Sequence, residues 1–150
     1  MSAIVGEWRL LHWRRIINDS AIEYPLGEDA EGVILYLPDG LMMVQMASAD
    51  RPKIDGGDPL GGPESDRAAA YSTCLAYFGR YEVKGQQVIH RIEASLYPNW
   101  SETTAVRPFE VDHDHLVLRT PLATANGKTV VNEMAWKRVT KHAGDPAPQD

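Results

Sequence analysis

The fold of this chain is decided by the stretch Tyr77-Phe-Gly-Arg-Tyr-Glu-Val-Lys-Gly-Gln-Gln-Val-Ile-His-Arg-Ile-Glu-Ala-Ser95. It predicts two antiparallel strands joined by a tight turn at Lys84-Gly85-Gln86. Pairing the valines on either side of this turn places Tyr81 directly opposite His90, on the same face of the hairpin. A phenol and an imidazole on an otherwise apolar strand face suggest the wall of a cavity rather than a solid core.

The composition is that of an ordinary globular domain, with 150 residues of which 43% are hydrophobic and 24% charged. The net charge of −6 leaves no basic stripe to neutralise phosphates, so we expect no nucleic-acid partner. The first residues carry neither a basic segment nor a long apolar one, which predicts no secretory signal, no membrane span and a cytoplasmic location. Cys74 is the only cysteine, so an internal disulfide is excluded.

Short apolar segments separated by turn residues recur along the whole chain. The predicted strands cover residues 4–17, 21–24, 33–37, 41–47, both halves of 77–95, 103–111, 116–120 and 128–139. Pro38-Asp39-Gly40 and Asn126-Gly127 are hairpin signals, because glycine supplies the positive φ that such turns need. The pattern predicts an all-β protein, an antiparallel up-and-down barrel of about eight strands that closes to remove its edges. We expect the barrel domain to span residues 1–140 and the tail 141–150 to be disordered.

Side-chain alternation assigns faces along the first predicted strand. Trp8 and His12 fall on one face, and Trp13 and Arg15 fall on the other. The strand is expected to end at Asn18-Asp19-Ser20, a cluster of turn-forming residues.

One helix is predicted, at residues 64–75. Pro63 suits a helix start, and the acidic Glu64 and Asp66 lie near the positive end of the helix dipole. An apolar stripe along this helix fits either packing on a sheet or a lid over the mouth of the barrel. We expect the lid.

Four motifs, in order along the chain, resemble the bacterial and fungal lipocalin-like domain family. They are Gly6-Glu-Trp-Arg-Leu10, Tyr36-Leu-Pro-Asp-Gly40, Ala76-Tyr-Phe-Gly-Arg-Tyr-Glu-Val83 and His90-Arg-Ile-Glu-Ala-Ser-Leu-Tyr-Pro-Asn-Trp100. The resemblance implies a small barrel with an internal pocket, and some lipocalin-like barrels are cofactor-free cyclases or isomerases of natural-product pathways. Gly6-Glu7-Trp8 also matches the Gly-x-Trp motif of lipocalins. In that family the tryptophan plugs the barrel floor and an arginine late in the barrel stacks on it, and Arg138 is the candidate for that arginine.

The candidate catalytic residues are His90, Tyr81 and Arg107. If Ile92 pairs with Ala105 on the next strand, Arg107 comes to lie beside His90. A nearby guanidinium disfavours the imidazolium and leaves a neutral imidazole, while its own donors suit an enolate, phenolate or carboxylate. Together these three residues could enolise, cyclise or dehydrate a small carbonyl compound by acid–base chemistry. The alternative, which we favour, is a satisfied polar network inside the barrel that binds a ligand or only water.

The favoured function is therefore an intracellular binding module for a small hydrophobic or aromatic metabolite. The pocket residues that we expect to contact it are Tyr36, Gln45, Tyr77, Trp100, Phe109 and Asn132. A cofactor-independent isomerase or cyclase is the alternative, and an interaction domain with a filled interior is a third possibility. We expect no cofactor, no membrane partner and no metal, since Asp112-His113-Asp114-His115 is typical of a polar turn, and a homodimer is possible.

Overall fold

The computed structural model describes residues 2–140, which form ten antiparallel strands, one α-helix and one 3₁₀ helix. In chain order the elements are β1 (Gly6–Ile17), β2 (Ala21–Glu23), β3 (Glu31–Tyr36), β4 (Leu41–Ala47), α1 (Glu64–Ser72), β5 (Cys74–Lys84), β6 (Gln87–Ser95), the 3₁₀ helix (Pro98–Trp100), β7 (Thr103–Val111), β8 (His115–Arg119), β9 (Ala123–Ala125) and β10 (Lys128–Arg138). The expected tail at 141–150 lies outside the described residues.

Eight of these strands close into a barrel. Each long strand pairs with the next one along the chain, and β1 pairs with β10 to complete the ring. The short β2 and β9 only extend β1 and β10 at one edge. The predicted antiparallel barrel is therefore confirmed, and the central hairpin has the predicted register, with Val83 opposite Val88 and Tyr81 opposite His90.

A β-bulge in β1 inverts the predicted assignment of faces. The register with β10 shifts between Leu10 and His12, which makes Leu11 an extra residue on this strand. Beyond the bulge Trp13 and Arg15 face the interior, and His12 falls on the outer face. The prediction for these three residues was wrong because it assumed uninterrupted alternation, which one extra residue reverses.

The register between β6 and β7 also differs from the expected one. His90 pairs with Ala105, and Val88 pairs with Arg107, whereas the prediction paired Ile92 with Ala105. A shift by two residues leaves every side chain on its expected face, because strand side chains alternate with a period of two. Arg107 therefore still faces inward, two residues closer to the β5–β6 turn than expected.

The helix α1 is shorter than predicted. It ends at Ser72, and the hydroxyl of Thr73 donates back to the carbonyl of Ala69 at 2.8 Å. Cys74 then begins β5, so its place is in the sheet rather than in the helical stripe. Within residues 2–140, neither helix has the length and apolar character that crossing a membrane requires.

One end of the barrel is closed by Trp8 and Arg138. The indole of Trp8 is fully buried, and its Nε1 donates to the carbonyl of Ile4 at 2.8 Å. The guanidinium carbon of Arg138 lies 4.1 Å from the centre of the Trp8 ring. The same guanidinium donates to three backbone oxygens, those of Ala3 (2.7 Å), Val5 (2.9 Å) and His113 (2.8 Å). This floor joins the start of the chain, β10 and the β7–β8 turn, as the resemblance implied.

Arg138→Ala is expected to lower the free energy of unfolding by about 2–4 kcal/mol, because it removes charged hydrogen bonds and a cation–π contact together. Chemical denaturation followed by circular dichroism measures the change. Arg91→Ala is the matched control, since the side chain of Arg91 is 58% exposed in a surface pair with Glu82. Equal destabilisation by the two substitutions would show that Arg138 does not hold the floor.

Candidate functional site

Above the floor lies an internal cavity of about 760 Å³. Aliphatic side chains from most of the barrel strands make up much of its wall, among them Ile34, Val44, Met46, Ile92, Leu118 and Met134. Its opposite end is bordered by Tyr71 and Ser72 of α1 and by Tyr97 and Trp100 near the 3₁₀ helix. The barrel thus has one closed end and a mouth lined by helix and loop residues.

The polar centre of the wall is His90 on β6, held between two tyrosine hydroxyls. Its Nε2 lies 2.7 Å from the hydroxyl oxygen of Tyr36, at the end of β3. Its Nδ1 lies 2.8 Å from the hydroxyl oxygen of Tyr77, on β5. The imidazole is only 1% exposed, so these two hydroxyls satisfy both of its ring nitrogens inside the protein.

Burial, reinforced by the positive charge of Arg107, lowers the pKa of His90 from the usual 6.5 to about 3. The imidazole is therefore neutral at neutral pH, with one nitrogen as donor and the other as acceptor. It follows that one tyrosine donates a hydrogen bond to His90 and the other accepts one.

Both tyrosines remain protonated. Burial raises the pKa of Tyr36 well above its usual value of 10.0. Burial also raises the pKa of Tyr77, and the nearby Arg107 offsets only part of that rise. The site therefore presents phenol hydroxyls rather than phenolates.

Arg107 adds a cation to the wall of the cavity. It is half-buried, and its Nη1 donates to the carbonyl of Val106 at 3.2 Å. Among residues 2–140 no carboxylate lies within salt-bridge distance of its guanidinium. Trp136 also lines the cavity, and its buried Nε1 has no acceptor among the same residues. This part of the wall offers hydrogen-bond donors and carries a positive charge.

The structure brings most of the predicted site residues to the cavity. The predicted residues in its wall are His90, Arg107, Tyr77, Trp100 and Asn132. Tyr36 lies behind the wall and reaches the site through His90. Their roles in binding or catalysis stay predictions, since geometry alone assigns position and not activity.

Tyr81 does not belong to this group, although it pairs with His90. Its hydroxyl donates to the carbonyl of Leu37 at 2.7 Å, and its amide donates to the carbonyl of Gly40. Its ring meets that of Tyr36 edge-on at 4.9 Å, outside the cavity wall. The prediction failed because register fixes the face of a side chain but not where a long side chain ends.

Gln45 and Phe109 are also outside the cavity. Gln45 is exposed on the outer face of β4, whose inward residues are the buried Met42, Val44 and Met46. Phe109 packs against the core and is absent from the wall of the cavity. Gln45 was misplaced because β3 and β4 carry apolar residues on both faces, so the sequence pattern did not show which face is exposed to solvent.

The wall residues that the prediction missed include Trp13 and Arg15, which the bulge in β1 turns inward. The Nε1 of Trp13 donates to the side-chain oxygen of Asn132 at 3.0 Å, so that oxygen is already engaged. Loose alternation in this segment was the signal of irregularity, but it did not locate the extra residue.

The Asp112–His115 segment forms the β7–β8 turn. The carboxylate of Asp112 accepts the backbone amides of Asp114 (2.9 Å) and His115 (2.8 Å). This is the hydrogen bonding of a polar turn, as the sequence pattern indicated. Within residues 2–140 no three potential metal ligands are grouped closely enough to hold an ion.

Comparison with known proteins gives one family and a few relatives. The profile of the lipocalin-like domain family matches residues 5–139. The 4′-hydroxy-3′-methoxypropiophenone carrier protein of Aspergillus oryzae is 34% identical over 110 residues, covering 67% of this chain and 98% of that protein.

Two solved structures are also similar. One is a lipocalin-like protein from Bacteroides uniformis, 14% identical with a TM-score of 0.48, covering 92% of this chain and 100% of the other. The second is an uncharacterized protein from Bacteroides eggerthii, 11% identical with a TM-score of 0.44, covering 90% and 98% of the two chains.

The ring of His90 is expected to stay neutral as pH falls through 6.5, because its folded-state pKa is about 3. The unfolded chain takes up this proton first, so the contribution of His90 to stability is full above pH 6.5 and declines between 6.5 and about 3. An NMR titration of the histidine ring carbons measures this, and His90→Gln identifies the signal by removing it. A His90 midpoint near 6.5 would contradict the buried, neutral assignment.

Proposed function

This chain belongs to the lipocalin-like domain family, and from that premise we propose that it is a carrier of a small aromatic ketone or a similar hydrophobic metabolite. The ligand enters through the mouth, is held in the cavity and leaves chemically unchanged. The observation that carries this proposal is the cavity itself, whose wall is largely apolar and includes the hydroxyl of Tyr77 and the guanidinium of Arg107 among its polar groups.

The size of the cavity supports a small ligand. Its volume of about 760 Å³ lies within the range of roughly 300–1,000 Å³ that is usual for small-molecule sites. An aromatic ring with a short side chain can be enclosed there, while the aliphatic wall removes its apolar surface from water. The rings of Trp13, Tyr97 and Trp100 give the wall flat aromatic surfaces for such a ligand.

The relative from Aspergillus oryzae is named as the carrier of an aromatic ketone that bears a hydroxyl and a methoxy group. A molecule of this kind combines a flat apolar ring with a few oxygen acceptors. That combination matches a cavity whose wall is largely apolar and includes hydrogen-bond donors, so we take the hydroxylated aryl ketones as the ligand class.

Acid–base catalysis by an isomerase or cyclase is the second candidate, because the donors at Tyr77 and Arg107 suit an enolate oxygen. The lowered pKa of His90 and its two hydrogen bonds argue against catalysis. A general base works best with a pKa near the working pH, whereas that of His90 is lowered to about 3. Both ring nitrogens are also occupied by tyrosine hydroxyls, so neither is free to accept a proton from a ligand.

Titration of the purified protein with 4′-hydroxy-3′-methoxypropiophenone is expected to change its tryptophan fluorescence, because Trp13, Trp100 and Trp136 line the cavity. Ala105→Phe places a large ring in the wall beside His90 and is expected to weaken binding about tenfold or more, a cost of roughly 1.4 kcal/mol. Ala125→Phe is the matched control, since Ala125 is exposed on β9 and is not part of the cavity wall.

Mass spectrometry of the recovered ketone then separates the two candidate functions. A carrier returns the compound unchanged after long incubation, and an isomerase or cyclase returns a new compound. Absence of binding to this ketone and its close analogues would contradict the carrier proposal. Equal weakening of ketone binding by Ala105→Phe and by its control substitution would contradict it as well.

A further inference from the structure

We infer that the hydrogen bonds of Tyr36, His90 and Tyr77 run in one direction and end with the Tyr77 hydroxyl hydrogen presented to the cavity, where it selects a carbonyl oxygen. The direction follows from the protein alone, and the identity of the ligand group rests on the proposed function. His90 is in this account a positioning residue, which touches no ligand and fixes the orientation of a hydroxyl that does.

A neutral imidazole between two hydroxyls allows two arrangements. In the first, Tyr36 donates to Nε2, and Nδ1–H donates to Tyr77. In the second, Tyr77 donates to Nδ1, and Nε2–H donates to Tyr36. Both fit the distances of 2.7 Å and 2.8 Å, so the surroundings of the two hydroxyls decide between them.

Tyr36 is the hydroxyl that must donate. Its side chain is fully buried, it is not part of the cavity wall, and its hydroxyl has His90 as its one hydrogen-bond partner among residues 2–140. If it accepted Nε2–H, its own hydrogen would be left buried without an acceptor, which costs free energy. Donation from Tyr36 to Nε2 avoids that cost.

Tyr77 is consequently the acceptor of Nδ1–H. Its oxygen then accepts from Nδ1–H, the guanidinium of Arg107 is a second donor to the same oxygen, and the hydroxyl hydrogen remains to be donated. Unlike Tyr36, it is part of the cavity wall, so a bound molecule or water there can accept that hydrogen. The two tyrosines differ in what surrounds them and not in their distance from His90.

The ligand group that suits this position is a good acceptor that carries no positive charge. Arg107 lies in the same wall, and within residues 2–140 no carboxylate neutralises it, so a cationic group is disfavoured beside Tyr77. The carbonyl oxygen of an aryl ketone accepts from both donors, because conjugation with the ring places extra negative charge on that oxygen. A methylene at the same place would leave the hydroxyl hydrogen of Tyr77 without an acceptor.

The direction is tested first in the ligand-free protein, by ¹⁵N NMR of the histidine rings. The expected result is a His90 ring protonated at Nδ1 and unprotonated at Nε2, with Tyr36→Phe changing the tautomer populations. Tyr81→Phe is the matched control: its hydroxyl bonds to Leu37, outside the chain of hydrogen bonds, and its removal should leave the His90 tautomer as it was. A ring protonated at Nε2 in the unmodified protein overturns the inference.

The ligand group is tested with a pair of compounds, 4′-hydroxy-3′-methoxypropiophenone and the same skeleton with a methylene in place of the carbonyl. Infrared spectroscopy of the bound, ¹³C-labelled ketone should show the carbonyl stretch at lower frequency than in hexane. Tyr77→Phe should weaken ketone binding about five- to tenfold more than it weakens binding of the methylene compound, the loss of one hydrogen bond.

The outcomes separate this inference from the function on which it rests. If both compounds bind equally well and the carbonyl stretch is that of the free ketone, the selection by Tyr77 is overturned while the carrier function stands. If neither compound binds, both the proposed function as a carrier of aryl ketones and the proposed selection of a carbonyl by Tyr77 are contradicted. The direction of the hydrogen bonds is then still tested by the tautomer of His90.

Discussion

A buried imidazole needs a partner for each ring nitrogen, and the cavity wall of this barrel is arranged around that requirement. His90 meets it with hydroxyls from two other strands, so one side chain ties β3, β5 and β6 together. An unpaired nitrogen in this position would cost the free energy of a lost hydrogen bond. The two tyrosines are thereby held in place, and the hydroxyl at the cavity has a defined position, which suits the proposed ligand because a preorganised site loses less entropy on binding.

The rest of the barrel closes one end of the cavity and leaves the other end open. Arg138 and Trp8 close one end, so the cavity opens at the end where α1 and the 3₁₀ helix lie. On the outer surface the buried carboxylate of Glu133 is paired with Arg14 at 2.7 Å and with Arg119 at 3.2 Å. Its burial raises the pKa, and these two guanidiniums more than offset that effect, so the carboxylate stays ionised outside the cavity. Glu133, Arg14 and Arg119 therefore form a charged cluster that lies outside the cavity wall.

The sequence predicted those parts of the fold that local turns determine. Hairpins with short turns, such as the one that pairs Tyr81 with His90, have a register that follows from the turn itself. The β6–β7 register was missed by two residues because a longer connection with a 3₁₀ helix joins these strands. The bulge after Leu10 was missed because loose alternation along β1 indicated an irregularity but did not locate the extra residue. The hydrogen-bond partners of His90 were missed because both tyrosines come from strand positions that do not pair with it.

A homodimer and a cytoplasmic location stay predictions.

The most direct test of the account is a crystal structure of the protein with a bound hydroxylated aryl ketone. The account predicts the ring between the aliphatic walls and the ketone oxygen within about 2.5–3.0 Å of the Tyr77 hydroxyl oxygen, the usual length of such a hydrogen bond. A ketone bound outside the barrel, or one whose oxygen points to the mouth and away from Tyr77 and Arg107, would contradict it.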